Sequence, residues 1–194
     1  MNREPSPQRQ AKLLTPAQVR ALYHERMEAD FPPDELKPLS MMEALLSQSR
    51  YDCYGFFEGD DILAYAYFVR LGRWALLDYY AVRDDLRDTG VGSAFLQGLI
   101  GGPLQGLDCV LVEVDDPDAA PDPAERAHRE RRRQFYLRNG LWDTGVRVWL
   151  FFVDYRVLAM PAKRHPLPEA IREIYAALYH SMLTDEFYDK WVRL

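Results

Sequence analysis

Between Tyr51 and Val82 the chain carries three runs dense in aromatic and β-branched residues: Tyr51 to Glu58, Ile62 to Arg70 and Trp74 to Val82. Gly59-Asp60-Asp61 separates the first pair and Gly72-Arg73 the second. Short polar gaps with glycine close antiparallel hairpins, because glycine reaches the positive φ that turns between twisted strands require. The region therefore reads as an antiparallel meander, and a sheet this apolar has to be covered by helices. Helical signals stand on both sides of it. Thr15-Pro16-Ala17-Gln18 offers a capping threonine, a proline at the first helical position and a glutamine able to close a capping box. Val19, Leu22, Tyr23 and Met27 follow at helical spacing, and Phe31-Pro32-Pro33 ends the helix. Ser40-Met41-Met42-Glu43 reads as a second capping box, opening a short helix to about Ser49.

Downstream, the pattern predicts a helix from Gly90 to about Ile100, a buried strand from Cys109 to Val114 and a long helix from about Ala124 to Arg138, stopped by Asn139-Gly140. Val146 to Tyr155 reads as one strand, with Val157 to Met160 able to pair with it, and Pro168 to Leu183 as an amphipathic helix. Asp185 to Leu194 allows one more helix. The whole is an α/β (α+β mixed) arrangement, one mixed sheet with helices on both faces. A chain of 194 residues suits one such domain. Met1 to about Gln10 reads as a tail, and the first dozen residues hold no apolar leader segment.

Charge and cysteine content narrow the class. Twenty-four Lys and Arg against 30 Asp and Glu give a net charge of −6, which disfavours a chain whose task is coating nucleic acid. Cys53 and Cys109 stand alone in apolar runs without CxxC spacing, and read as buried apolar groups in a reducing compartment. Apolar stretches fall far short of the roughly 20 residues a membrane helix needs. The expectation is a cytoplasmic protein without a membrane partner.

The segment Leu77 to Ser93 carries the most chemistry. A strand ends at Val82, a polar turn follows, and Arg87-x-x-Gly90-x-Gly92 opens a helix. Backbone N–H groups and the positive end of the helix dipole converge there on an anion, glycine allows close approach, and arginine adds charge. The turn lacks the Gly-Lys-Ser/Thr of a Walker loop, and its first glycine does not directly follow the strand as in a dinucleotide fingerprint. The bland alternative is a helix start that uses glycine only for tight packing.

This stretch, with Ala81-Val82 before it, resembles the pyrophosphate loop of the GNAT superfamily of acyl-CoA-dependent N-acetyltransferases. Phe135-Tyr136-Leu137-Arg138-Asn139-Gly140-Leu141 is similar to the same family's Tyr-x-x-x-Gly-Phe signature, with Leu141 replacing Phe. The likeness covers roughly residues 11–160, leaving 161–194 as a C-terminal extension that packs on the domain or forms a homodimer seam. It implies a GNAT-like domain whose mostly antiparallel sheet is splayed between two parallel strands, here those ending at Val82 and Val114. It also implies acetyl-CoA as co-substrate, held by Ala81, Val82, Arg87, Asp88, Thr89, Gly90, Val91, Gly92 and Ser93. The resemblance further implies that an amine attacks the thioester directly, without a covalent enzyme intermediate, and that the Val82 N–H polarises the carbonyl. Tyr136 matches the position of the acid that protonates the leaving thiolate. The acceptor, a small molecule or a protein amine, is not named by the motifs. The rival reading is a catalytically silent acyl-CoA sensor, which the same loop would serve.

Glu113 is a lone carboxylate in the apolar strand Val110 to Val114 and is expected to face the transfer gap as general base; the alternative is a structural carboxylate. Asp115 on the same face and Asp78 on the opposite strand are expected on the amine side. Glu28, Asp30, Asp34 and Glu35 can attract a cationic amine or be plain surface. The run Glu125 to Arg133 reads foremost as a solvated helix face with Glu–Arg pairs, with contact to CoA phosphates, an acidic substrate or nucleic acid as alternatives. His24-Glu25-Arg26 lacks a second histidine at metal-binding spacing, so no metal is expected.

Overall fold

The three runs of the meander form β2 (Tyr51–Glu58), β3 (Asp61–Leu71) and β4 (Trp74–Val82) in the computed structural model, which describes residues 9–33, 35–160 and 165–194. With β1 (Gln10–Leu13), β5 (Cys109–Asp115), β6 (Trp142–Leu150), β7 (Val153–Ala159) and β8 (Val192–Arg193) they form a mixed eight-stranded sheet of order β1-β2-β3-β4-β5-β7-β6-β8. The chain divides into two compact units. One holds residues up to Arg70 with Asp78–Gly102, the other Leu71–Leu77 with Pro103–Leu194.

In the first unit, β1 (Gln10–Leu13) pairs antiparallel with β2, and β2 with β3, placing Cys53 opposite Tyr67 and Tyr51 opposite Val69. Paired residues share a face, so Tyr51, Cys53, Tyr65 and Tyr67 point the same way. The helix α1 (Pro16–Leu22) starts as the sequence expects, with Thr15 and Gln18 closing a capping box. It continues through a π-helical stretch Tyr23–Met27 into α2 (Glu28–Asp30), which lays Arg26, Asp30 and Phe31 near Tyr65. The other face takes α4 (Val91–Ile100), whose Phe95 stacks on Phe56 and Tyr80 at 5.1 and 5.7 Å. The second capping box does not form. The helix α3 (Leu39–Ser47) begins at Leu39 with Pro38 as its cap and no side-chain cap, and Glu43 pairs instead with Arg20 at 2.6 Å. Pro38, its φ at −54°, sets the entry of the chain one residue pair earlier than the serine would.

In the second unit, Trp74–Leu77 of β4 runs parallel to Cys109–Val112 of β5 (Cys109–Asp115). β7 (Val153–Ala159) pairs antiparallel with β5 and β6 (Trp142–Leu150), and β6 with the short β8 (Val192–Arg193). The single strand expected over 146–155 is in fact a hairpin. Its turn is Phe151-Phe152, with φ of +46° and +72°. Two aromatic residues in the left-handed region are no turn signal, which is why the sequence reads through them. The helix α5 (Pro123–Arg138) ends as expected at Asn139-Gly140, and Gly140 has φ +92°. The helix α6 (Pro168–His180) buries Ile171, Ile174, Tyr175, Leu178 and Tyr179 against Leu111, Val146, Val148, Val157 and Ala159. The described part of the C-terminal extension thus packs on its own unit, and α7 (Asp185–Trp191) follows it.

Candidate active site

The turn from Val82 to Ser93 lies within the first unit. A single 3-10 turn, Asp84–Leu86, leads into Asp88 at φ +60° and Gly90 at φ +88°. Gly90 is the N-cap of α4, so no side chain closes the helix end. The first intrahelical bond runs from Ala94 N to Gly90 O at 3.0 Å, so the Val91 and Gly92 amides precede it at the positive end of the dipole. A Cβ added at Gly90 meets no atom within 4 Å, so the approach above the turn is open. Arg87, Asp88 and Thr89 are exposed. Arg87 rests on Asp84 at 2.6 Å, an exposed pair that a stronger anion can exchange. The start of α4 is anchored to β4 because Tyr80 Oη donates to Gly92 O at 2.6 Å. Ala81 and Val82 are half-buried at the end of β4.

Further back on β4, Asp78 is not an open carboxylate. Oδ1 takes an ion pair from Lys37 Nζ at 2.5 Å, and Oδ2 accepts from Tyr51 Oη at 2.5 Å. Tyr79 Oη donates to Glu35 O at 3.0 Å and accepts from Lys37 N at 2.7 Å. Burial first, then the Asp78 charge, push the Tyr79 phenol up to about 12, and the same two causes raise Tyr51. Burial also raises the thiol of Cys53. Of the acidic residues upstream, Asp30 takes Tyr65 Oη at 2.6 Å and Arg26, and Glu28 lies 3.3 Å from His24. Asp34 lies outside the described residues. The sequence pointed to Asp78 but not to Lys37, Tyr51, Tyr67 or Tyr79; the tyrosine alternation at 65 and 67 was the available signal.

In the second unit, Tyr136 is 3% exposed. Burial raises its phenol, with Arg132 lowering it in part through charge and a hydrogen bond, so it keeps its proton at neutral pH. Glu113 does not stand open. Its Oε1 accepts from both Tyr175 Oη at 2.5 Å and Tyr179 Oη at 2.7 Å, because the face of β5 carrying Cys109, Leu111 and Glu113 is the face α6 covers. Both lone pairs of that oxygen are engaged. Burial, then the Glu113 charge, hold both tyrosines well above their ordinary value. Asp115 pairs with Arg132 at 3.5 Å. Three further arginines of the α5 run are paired in the same way: Arg126 with Asp118, Arg129 with Glu125, and Arg133 with Glu130 and Asp143. Among the described residues no three His, Cys, Asp or Glu gather to hold a metal, and no helix is long and apolar enough to cross a membrane.

No family model and no curated protein sequence matches the chain. Solved structures do. A protein of Bacteroides thetaiotaomicron, named for the GNAT family of acetyltransferases, superimposes with a TM-score of 0.66 at 17% identity, over 92% of this chain and 98% of that one. The chain has the GNAT acetyltransferase fold. The ribosomal-protein-S18-alanine N-acetyltransferase of Escherichia coli matches at 0.60 and 19% identity, covering 82% of this chain and 97% of its own. A Bacillus subtilis acetyltransferase in complex with CoA matches at 0.51 and 13%, covering 79% and 98%. The fold class expected from the two motifs is therefore the one observed.

Proposed function

We propose that the chain is an N-acetyltransferase that moves an acetyl group from acetyl-CoA to a primary amine by direct attack. The observation that carries this reading is the turn before α4: open, glycine-capped, and edged by Arg87. Those features suit a pyrophosphate, whose charge is met by backbone amides and a guanidinium. The CoA complex among the structures of the same fold supports the choice of anion. Arg87 to Ser93 would hold the pyrophosphate, and Ala81 and Val82 the pantetheine arm.

The amine nitrogen bonds to the thioester carbon while the carbonyl electrons move to oxygen, where the Val82 N–H stabilises the oxyanion. The ammonium first gives a proton to water; after attack the C–S bond breaks, the thiolate takes a proton from Tyr136, the proposed acid, and the proton that nitrogen sheds in forming the amide returns through water to the Tyr136 phenolate. Glu113 is read as the carboxylate that seats α6 through its two tyrosines, and Asp78 as the acidic group on the amine side. Asp115 is given to Arg132. Solvent in a reducing compartment, the cytoplasm, is the setting these parts suit.

Calorimetric titration with acetyl-CoA, run beside thiol release over a panel of primary amines, tests the proposal. Tight binding with amine-dependent release is expected, and Gly90→Val should weaken acetyl-CoA at least about tenfold, because an L residue at φ +88° is strained and its side chain fills the open approach. Unchanged affinity in Gly90→Val would remove the turn from the site.

A further inference from the structure

The face of the first unit that carries Asp78 is built as a seat for an ammonium group, and Lys37 of the same chain sits in it. Its Nζ meets Asp78 Oδ1 and lies 5.4 Å from the centroid of the Tyr79 ring. The Asp78 side chain is 6% exposed and that of Lys37 24%. A carboxylate together with an aromatic face is the general recognition chemistry for a desolvated cation. Tyr51 holds the other carboxylate oxygen, so the acceptor faces the seat in a fixed orientation.

A second observation points to a ligand. Tyr67 stands amid this cluster, with the rings of Tyr51, Tyr65 and Tyr79 at 5.6, 5.6 and 6.3 Å. It is fully buried, and its hydroxyl finds no hydrogen-bond partner among the described residues. A buried hydroxyl left unmet is destabilising, and native structures keep few such groups without a reason. Lys37 itself belongs to a stretch that is neither helix nor strand, hung on Tyr79 by its own N–H and by the Glu35 carbonyl. Its seat is on β4, the strand that runs into the proposed CoA turn.

We infer that this seat binds an unbranched primary alkylammonium group, that Lys37 is its resident stand-in, and that the acceptor amine enters by replacing Lys37 on Asp78. The lysine shows what fits: a primary ammonium on a short unbranched stem, able to donate to a carboxylate and rest on a tyrosine face. That the occupant is the acceptor rests on the acetyltransferase reading; that the seat binds an alkylammonium does not.

The test uses the full chain without any acyl donor and n-butylamine near neutral pH, where it is n-butylammonium. Lys37→Met removes the charge that competes for Asp78, and its uncharged, unbranched side chain can swing out of the seat to admit the butyl chain. It should bind n-butylammonium at least tenfold more tightly than the unaltered protein and be stabilised by it. The neutral n-butanol, and tetramethylammonium, which has no N–H for Asp78, should do neither. Adding Asp78→Asn should abolish the binding. Equal binding of n-butanol, no gain in Lys37→Met, or binding that survives Asp78→Asn would each overturn the inference. Should these variants not fold, the Nζ resonance of Lys37 in the unaltered protein decides: it should move toward the position of an exposed lysine as n-butylammonium is added, and an unmoved resonance overturns the seat. Because no acyl donor is present, failure of acetyl transfer leaves this result intact. Transfer to n-butylamine without binding at Asp78 would instead place the acceptor elsewhere.

Discussion

Asp78 and Glu113 are carboxylates on the two parallel strands β4 and β5, and tyrosine hydroxyls meet both, yet the two surroundings differ in kind. Asp78 pairs with a cation from a stretch without regular structure, beside a phenol whose hydroxyl has no hydrogen-bond partner among the described residues. Glu113 is met by two phenols from one helix whose apolar side is buried in the same core. A cation on a single side chain can be exchanged for another cation; two tyrosines fixed on α6 cannot leave without the helix. The first arrangement suits a ligand and the second suits stability.

The largest effect should come from Glu113→Ala. It strands the hydroxyls of Tyr175 and Tyr179 beneath α6 and should lower stability in urea by about 3 kcal/mol. A loss below about 1 kcal/mol, joined to a changed pH–rate profile, would move Glu113 back to the chemistry. Tyr136→Phe should lower kcat about 100-fold with acetyl-CoA affinity kept, as calorimetry and steady-state rates can check. Asp78→Asn should raise KM for an alkylamine about tenfold while destabilising the protein less than Glu113→Ala does; the reverse ranking breaks the comparison.

Alkaline pH sharpens it further. Tyr175, Tyr179, Tyr51 and Tyr79 all have folded values raised above the unfolded phenol. Their contribution is whole below the unfolded value of about 10 and is lost as pH rises through the folded value, about 12 for Tyr79. The urea midpoint should therefore fall above pH of about 10, and Tyr175→Phe with Tyr179→Phe should flatten that fall. The smallest effect concerns the hairpin turn. Phe151→Asn with Phe152→Gly places residues that tolerate positive φ and should raise stability by about 1 kcal/mol in the same melts.

What the sequence revealed follows from range. The meander, the capping box at Thr15, the glycine-capped turn and the Asn139-Gly140 stop are each written in adjacent residues, and each formed. The turn at Phe151-Phe152 was hidden because its residues oppose the conformation they adopt. At Ser40 the local signal was present, but Pro38 acted first. The surroundings of Glu113 and Asp78 were illegible for another reason. Tyr175 and Tyr179 approach Glu113 from across 62 and 66 residues, and Lys37 approaches Asp78 from across 41. Alternation along β5 could say that Glu113 shares a face with Leu111, but not that α6 would cover that face.

The most direct measurement follows free thiol and acetylated amine together, by mass spectrometry, when the protein is given acetyl-CoA and a panel of primary amines. An N-acetyltransferase produces the two one for one and neither without an amine. Binding of acetyl-CoA with no amide formed on any primary amine would contradict the account.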